Sequence, residues 1–430
     1  LRVFRWKGCA LLLVLSLAAT AQNAPLTFDQ VVEHAMQRSP IMGAQHASQR
    51  ASEGLIQQAG ASPNPTLQFQ SQTDAFERLS LIGLAVSQPI ELGHKRQSRL
   101  RVAESHQQEA YWETEVRRRT LRRELQQRFA RVLLAQAKQQ LAEELVQTTG
   151  RHLEISKGRL RAGDASGVEV QALEIESDRR RTAKILVDGE LRTALASLGE
   201  HLFGPEDPLA YGVAGQLGWR HPLPPLEILT ERADQASLQL AQARVHTGEN
   251  QVTLERSKGV SDLTVQAGVF LQRDYFPGTS FQPQGVISEL DDSGPILQLQ
   301  LQIPLPFNDD NSGNIAAAQA RLERSRLESE ALNHKLRAEL AGLYHTLAAQ
   351  AEARDMLESR VLPASRLTLE TVEKAYALGF RSQVDLLLAR EAYLRAAEDA
   401  VQAAFDESLT LADLEAVLGH PLPTETDTHE

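Results

Sequence analysis

The histidines are the first residues to test for chemistry, at positions 34, 46, 94, 106, 152, 201, 221, 246, 334, 345, 420 and 429. None stands four residues from another, so no helical face offers the paired imidazoles of a zinc site. His334 and His345 can share a helix face, where they read as part of a solvated wall. Met36, Met42 and Met356 form no cluster, and Cys9 is the only cysteine. A dedicated soft-metal site is not expected. No glycine-rich phosphate loop and no nucleophile elbow is present. The chain reads as no enzyme and calls for no cofactor. What remains is charge at two turns. Gly163-Asp164-Ala165-Ser166-Gly167 leads into Glu169, and Gly379-Phe380-Arg381-Ser382 leads into Asp385, with Tyr376 just ahead. A carboxylate opening a helix is favoured by the positive dipole end, which accounts for Glu169 and Asp385 with no further role. Several copies gathered round an axis would instead repel, and arginine or bound cations would have to neutralise them; Arg381 is the local partner.

The elements that carry those turns follow from periodicity. Arg2, Arg5 and Lys7 precede an apolar run, Cys9 to Ala19, and Ala19-Thr20-Ala21 is a small-x-small cleavage site. Residues 1–21 read as a secretory signal peptide, too short to anchor. Trp6-Lys7-Gly8 does not resemble the approach to a lipid-modified cysteine, so Cys9 is read as an ordinary residue of the apolar run. Leu1 in place of methionine suggests a non-standard start codon or a shortened sequence. Cleavage would leave no cysteine and no disulfide, and would take the formal charge from −11 to −14. An acidic chain is a poor nucleic-acid partner. Aromatics make up only 5% of the chain, so one large globular core is not expected.

Leu26 to about Gly60 reads as a helix interrupted at Ser39-Pro40. Two alternating runs follow over 66–90, one with Leu67 and Phe69, the other with Ile82, Leu84, Val86 and Ile90, and they read as a hairpin with a turn near 74–79. A long helix runs from Gly93 to about Arg161, with Leu121, Leu125, Phe129, Val132, Gln136, Leu141 and Leu145 near a coiled-coil seam. It turns at Gly163, and a second helix returns from Val168 to about Leu202. Arg117–Arg119 and Arg179–Arg181 read as its solvated face. Residues 205–225 hold five prolines and read as a linker.

The pattern then restarts. A helix runs from Leu226 to about Lys258, and a hairpin spans 263–305. Its first strand shows Leu263, Val265, Ala267, Val269 and Leu271 on one face. Its second alternates Leu297, Leu299, Leu301 and Ile303 with Gln298, Gln300 and Gln302. Arg273 to Pro295 reads as a long polar loop with Tyr275, Phe276 and Phe281 as interfacial aromatics. A helix from Asn311 to Leu378 contains Pro363, and after Gly379 the chain returns over Ser382 to Leu418. The expected organisation is repeat 1 over 22–204, linker 205–225, repeat 2 over 226–421, and a disordered tail 422–430.

An aliphatic face backed by uncharged amides fits a strand between lipid and a wet lumen. Four strands cannot close a membrane-spanning barrel, and open edges are not tolerated in lipid. The chain must therefore share its sheet with copies. Three copies make the smallest assembly expected to leave a pore.

The two repeats, the tip motifs and Gln88-Pro89-Ile90-Glu91-Leu92 ahead of Gly93-His94-Lys95-Arg96 resemble the TolC outer-membrane efflux family over nearly the whole mature chain. That last stretch is most similar to the CzcC-like heavy-metal cation branch. The resemblance implies an α+β membrane protein: a trimeric outer-membrane β-barrel, four strands per chain, continued by a long periplasmic α-helical barrel. It implies a homotrimer in outer-membrane lipid that docks a periplasmic adaptor (membrane fusion) protein and an inner-membrane RND-type pump. It also implies a periplasmic gate of Glu169, Tyr376, Arg381 and Asp385 at the tip turns of Gly163 and Gly379. A further family aspartate falls where Leu388 stands. The function implied is the passive exit duct of a tripartite efflux system, for heavy-metal cations or for drugs and other organic compounds. A structural coiled-coil protein of the envelope is the reading from another class; it would need no strands.

Overall fold

Pro40 decides where the first helix breaks. It has no backbone N–H to donate, and it biases Ser39 to extended geometry (φ −65°, ψ 123°). The expected single helix is therefore two, α1 (Phe28–Arg38) and α2 (Pro40–Ala59). In this computed structural model the described residues are 25–73, 79–200, 202, 212–231, 235–281 and 287–422. The expected signal segment, the first hairpin turn at 74–78, residues 203–211 of the linker and the tail from 423 lie outside them.

The remaining elements are β1 (Thr66–Thr73), β2 (Leu79–Ile90), α3 (Lys95–Ala162), α4 (Gly167–Gly199), α5 (Leu226–Glu231), α6 (Gln235–Lys258), β3 (Leu263–Phe281), β4 (Ile287–Gln302), α7 (Ser312–Met356), α8 (Leu362–Ala377) and α9 (Gln383–Leu418). The 68 residues of α3 make a rod of roughly 100 Å at about 1.5 Å per residue. None of the helices is long and apolar enough to cross a membrane among the described residues. The chain divides into two compact units, and several helices contribute to both.

One unit comprises Gly43–Arg117 and Ala233–Ala338 and holds the sheet. All four strands join one antiparallel sheet in the order β1-β2-β3-β4. β2 and β3 lie side by side, Leu81 opposite Gln272 through Ile90 opposite Leu263. Cross-strand partners share a face, so the registers sort the side chains. One face carries Leu67, Phe69, Leu84, Val86, Val269, Leu271, Leu297, Leu299 and Leu301, all exposed. The other carries Gln68, Gln70, Gln266, Gln298, Gln300 and Gln302 with Thr66 and Thr264. The expected polar loop at Arg273–Pro295 is corrected here. β3 and β4 continue past the apolar band, pairing from Arg273 opposite Ser293 to Phe281 opposite Ile287, with one irregularity between Phe276 and Thr279. Ladder hydrogen bonds satisfy the backbone whatever the polarity of the side chains, which is why composition alone misread this stretch. The side chains of the three expected interfacial aromatics lie outside the described residues.

The other unit comprises Leu1–Met42, Arg118–Arg232 and Glu339–Glu430. Its core gathers Val31 and Ala35 of α1 with Leu121, Leu125, Phe129 and Val132 of α3 and Leu195 and Leu198 of α4. The α3 members are residues of the expected seam. Leu26 bridges Val213 in parallel, tying the start of the described chain to the end of the linker. The helix expected to run through Pro363 is modified locally. A single π-helical turn, Leu357–Val361, separates α7 from α8, and Pro363 sits in the first turn of α8. Proline cannot donate and clashes with the carbonyl four residues back, and the wider turn accommodates both defects.

Candidate functional site

Both turns that carry the candidate charges belong to this second unit, and both are built alike. α3 ends with Gly163 at φ +85°. Gly163 N–H donates to the Leu160 carbonyl at 3.1 Å, and Asp164 N–H to that of Arg159 at 2.8 Å. α8 ends with Gly379 at φ +79°. Its N–H donates to the Tyr376 carbonyl at 3.0 Å, and Phe380 N–H to that of Ala375 at 2.8 Å. These are two Schellman stops, each requiring a residue at positive φ, where glycine meets no Cβ penalty. Three residues on, Ser166 and Ser382 cap the next helices, accepting from Glu169 N–H and Asp385 N–H at 3.2 Å each.

The side chains then diverge. The Asp385 carboxylate reaches back to Ser382, accepting from its N–H at 3.1 Å and its hydroxyl at 2.9 Å, a closed capping box. These bonds, with the Arg381 charge as a smaller cause, hold its carboxyl below the usual range. Arg381 is exposed and acts on Asp385 through charge alone, with no ion pair within 4 Å. The Glu169 carboxylate closes no such box. Its backbone carbonyl accepts from the Gln383 amide at 3.3 Å, which joins one turn to the other. Tyr376 is buried, its ring under the Arg159 guanidinium at 5.3 Å from the centroid. Within one chain, then, the four expected gate residues are not bonded into a network.

Sequence reasoning missed the groups next to them. Arg390 of α9 is 2% exposed. It donates to Thr149 Oγ1 of α3 at 3.2 Å and to His152 Nδ1. Glu373 of α8 lies 3.6 Å from Arg390 and 3.7 Å from His152 Nε2. Because Nδ1 accepts, neutral His152 carries its proton on Nε2, toward Glu373. Burial, then the Arg390 and Arg151 charges, push the His152 pKa down to about 4. Burial also lowers that of Arg390. A signal was present: Arg390 stands inside the apolar stripe Leu386, Ala389, Leu394, Ala397, where a charge needs a buried partner. Among the described residues no group of three or more His, Cys, Asp or Glu is placed to hold a metal ion.

The described residues thus combine one amphipathic four-stranded sheet with helices of up to 68 residues. The sequence pattern of the outer membrane efflux protein family matches residues 31–202 and 229–420, and the chain belongs to that family. It is 25% identical over 375 residues to the cobalt-zinc-cadmium resistance protein CzcC of Cupriavidus metallidurans, covering 86% of this chain and 85% of that one. It is 27% identical over 342 residues to the nickel-cobalt-cadmium resistance protein NccC of Alcaligenes xylosoxydans xylosoxydans, covering 75% and 72%. The crystal structure of CusC shares its fold at a TM-score of 0.73 and 14% identity, covering 91% and 92%.

Proposed function

We propose that three copies close one twelve-stranded barrel in the outer membrane and that their helices continue it as a periplasmic tunnel. The assembly is a passive exit duct for heavy-metal cations, passed on by a periplasmic adaptor and an inner-membrane RND-type pump. The observation that carries this reading is the sheet. Its entire apolar face is bare, and β1 and β4 each keep an unpaired edge among the described residues. In water that face would aggregate, whereas in lipid it needs only closure by further strands. A run such as Leu263–Leu271 matches the roughly 9–11 residues of a tilted spanning strand. The sheet counts against a purely coiled-coil envelope protein. The metal cargo is supported by the names of the relatives. Two matched segments of one family pattern, with a Schellman turn and serine cap in each, support the two repeats.

At the tip, Glu169, Tyr376, Arg381 and Asp385 form the periplasmic gate between copies. Arg381, exposed and without an ion pair among the described residues, is free in this reading to meet an acid on a neighbouring copy. The bare apolar side chains of Val168, Leu378, Phe380 and Val384 are the surface an adaptor would cover.

The test is the mass of the detergent-extracted protein, expected to be that of a trimer. A monodisperse monomer with its strand signal intact would overturn the reading. Leu299→Arg, on the lipid face, should weaken assembly by roughly 2–4 kcal/mol, while Gln300→Arg should assemble and alter conductance. Equal assembly of the two would mean the faces are misassigned.

A further inference from the structure

An aromatic residue interrupts the polar face, with Ile296 opposite it on β4. Phe270 pairs with Gly83 of β2 and with Ile296 of β4, which places it among the glutamines and away from Val269 and Leu271. An aromatic ring amid exposed amides would be expected to stand free. It is instead 2% exposed, while Val269 and Leu271 are 54% and 58% exposed. Two neighbours without side chains let the ring lie close to the strands. A Cβ added at Gly268 would lie 2.7 Å from Phe270 Cε2 and 2.8 Å from Ala85 Cβ, and one at Gly83 would overlap Phe270 Cδ1 and the Val269 carbonyl oxygen. Both glycines have ordinary negative φ, so no backbone conformation calls for them. Close approach of the ring and of the neighbouring strand does, and a glycine in a strand interior marks such an approach. An aromatic on the adjacent strand covering a glycine is a known device for holding a curved sheet.

We propose that Phe270 sets the bore of the duct at the level of the sheet, and that Gly83 and Gly268 form the seat that keeps its ring flat against the wall. This rests on the trimeric barrel of the preceding section, in which the glutamine face lines the lumen. With the ring seated, the wall beside it consists of uncharged amides and small residues apart from Ile296, which suits the passage of hydrated cations. Lifted from its seat, the ring would project into the lumen once per copy, three times around the axis. Passage would then narrow and lose polarity at one level, and conduction depends on pore diameter and lining.

The experiment is single-channel recording in planar bilayers with potassium chloride, on the processed protein, in which an introduced thiol stands alone once the segment holding Cys9 is removed. Gly268→Ala should lower conductance about twofold or more by lifting the ring, and adding Phe270→Ala to it should recover part or all of the loss, since Ala85 still faces the new Cβ. Phe270→Ala alone should conduct at or above the original level, and it decides the matter if Gly268→Ala does not assemble. Unchanged conductance in an assembled Gly268→Ala, a double variant as poor as the single, or a Phe270→Ala that conducts less than the original would each overturn the inference. The lumen assignment is checked separately. A charged, water-soluble thiol reagent should reduce the current through Gln298→Cys, and an unchanged current there would overturn the barrel reading and this inference with it.

Discussion

The two turns share a backbone and differ in what lies beneath them. Gly163, Ser166 and Glu169 repeat as Gly379, Ser382 and Asp385, with the same Schellman stop and the same serine cap. Beneath the first turn the buried contact is apolar, Leu153 of α3 against Val170 and Leu173 of α4, with a half-exposed Lys157–Glu174 ion pair at 3.3 Å beside it. Beneath the second it is polar: Arg390 binds Thr149 and His152, with Glu373 alongside. Apolar contacts hold two helices together without regard to pH, and a small slip exchanges one contact for another. A buried guanidinium needs particular partners in particular places, so it fixes register and responds to protonation. The buried contact beneath the first turn is therefore insensitive to pH, whereas the one beneath the second, which joins α9 to Thr149 and His152 of α3, responds to protonation.

The largest effect should come from Arg390→Ala. It leaves Glu373 and His152 without their buried partner and should cost about 3–5 kcal/mol, read as a fall in the thermal midpoint of the helical circular dichroism signal. Hydrogen exchange should show the loss beside α8 and α9 and spare the α4 contact around Leu173. Loss spread evenly over both hairpins would erase the contrast.

Next comes pH. The folded His152 pKa lies near 4, below the ordinary 6.5. The unfolded chain thus binds the extra proton first as pH falls. Stability is fully present above about pH 6.5 and drains away toward pH 4, by roughly 2–3 kcal/mol. His152→Gln should flatten the dependence in that window. A slope unchanged by His152→Gln would place the titrating group elsewhere.

The caps should separate the turns more finely. Ser382→Ala removes the two bonds of the hydroxyl, leaving only the backbone N–H of residue 382 on Asp385, and should cost about 1–2 kcal/mol, whereas Ser166→Ala removes one bond and should cost about 0.5–1 kcal/mol. Denaturant midpoints of the two variants would rank them, and equal losses would mean the Asp385 box adds nothing. The smallest contrast is expected at the glycines. Both have positive φ and open space around a would-be Cβ, so Gly163→Ala and Gly379→Ala should each cost about 1 kcal/mol and match one another. A clear inequality would show that the two turns differ in backbone as well as in side chains.

Local rules carried much of this molecule. The alternation of Leu297, Leu299 and Leu301 with Gln298, Gln300 and Gln302 needs only the two-residue period of a strand, and the register puts those leucines on one face with Leu84 and Val269. Gly163 and Gly379 stop their helices because positive φ is a property of the residue itself. The seam at Leu121, Leu125, Phe129 and Val132 follows from helical spacing. Contacts between residues far apart in the chain could not be read this way. The pairing of β2 with β3 joins strands separated by more than 170 residues, and no local pattern names a partner at that distance. Arg273 to Pro295 looked like a loop because its side chains are polar, yet a ladder partner makes a strand of it. Tyr376 found Arg159, and Arg390 found Thr149 and His152, only because α8 and α9 pack against α3. Side-chain type and spacing determined which elements form and which face of each is apolar, because those depend on neighbours a few residues away. Which charge is buried, and beside what, was decided only when distant helices met and excluded water.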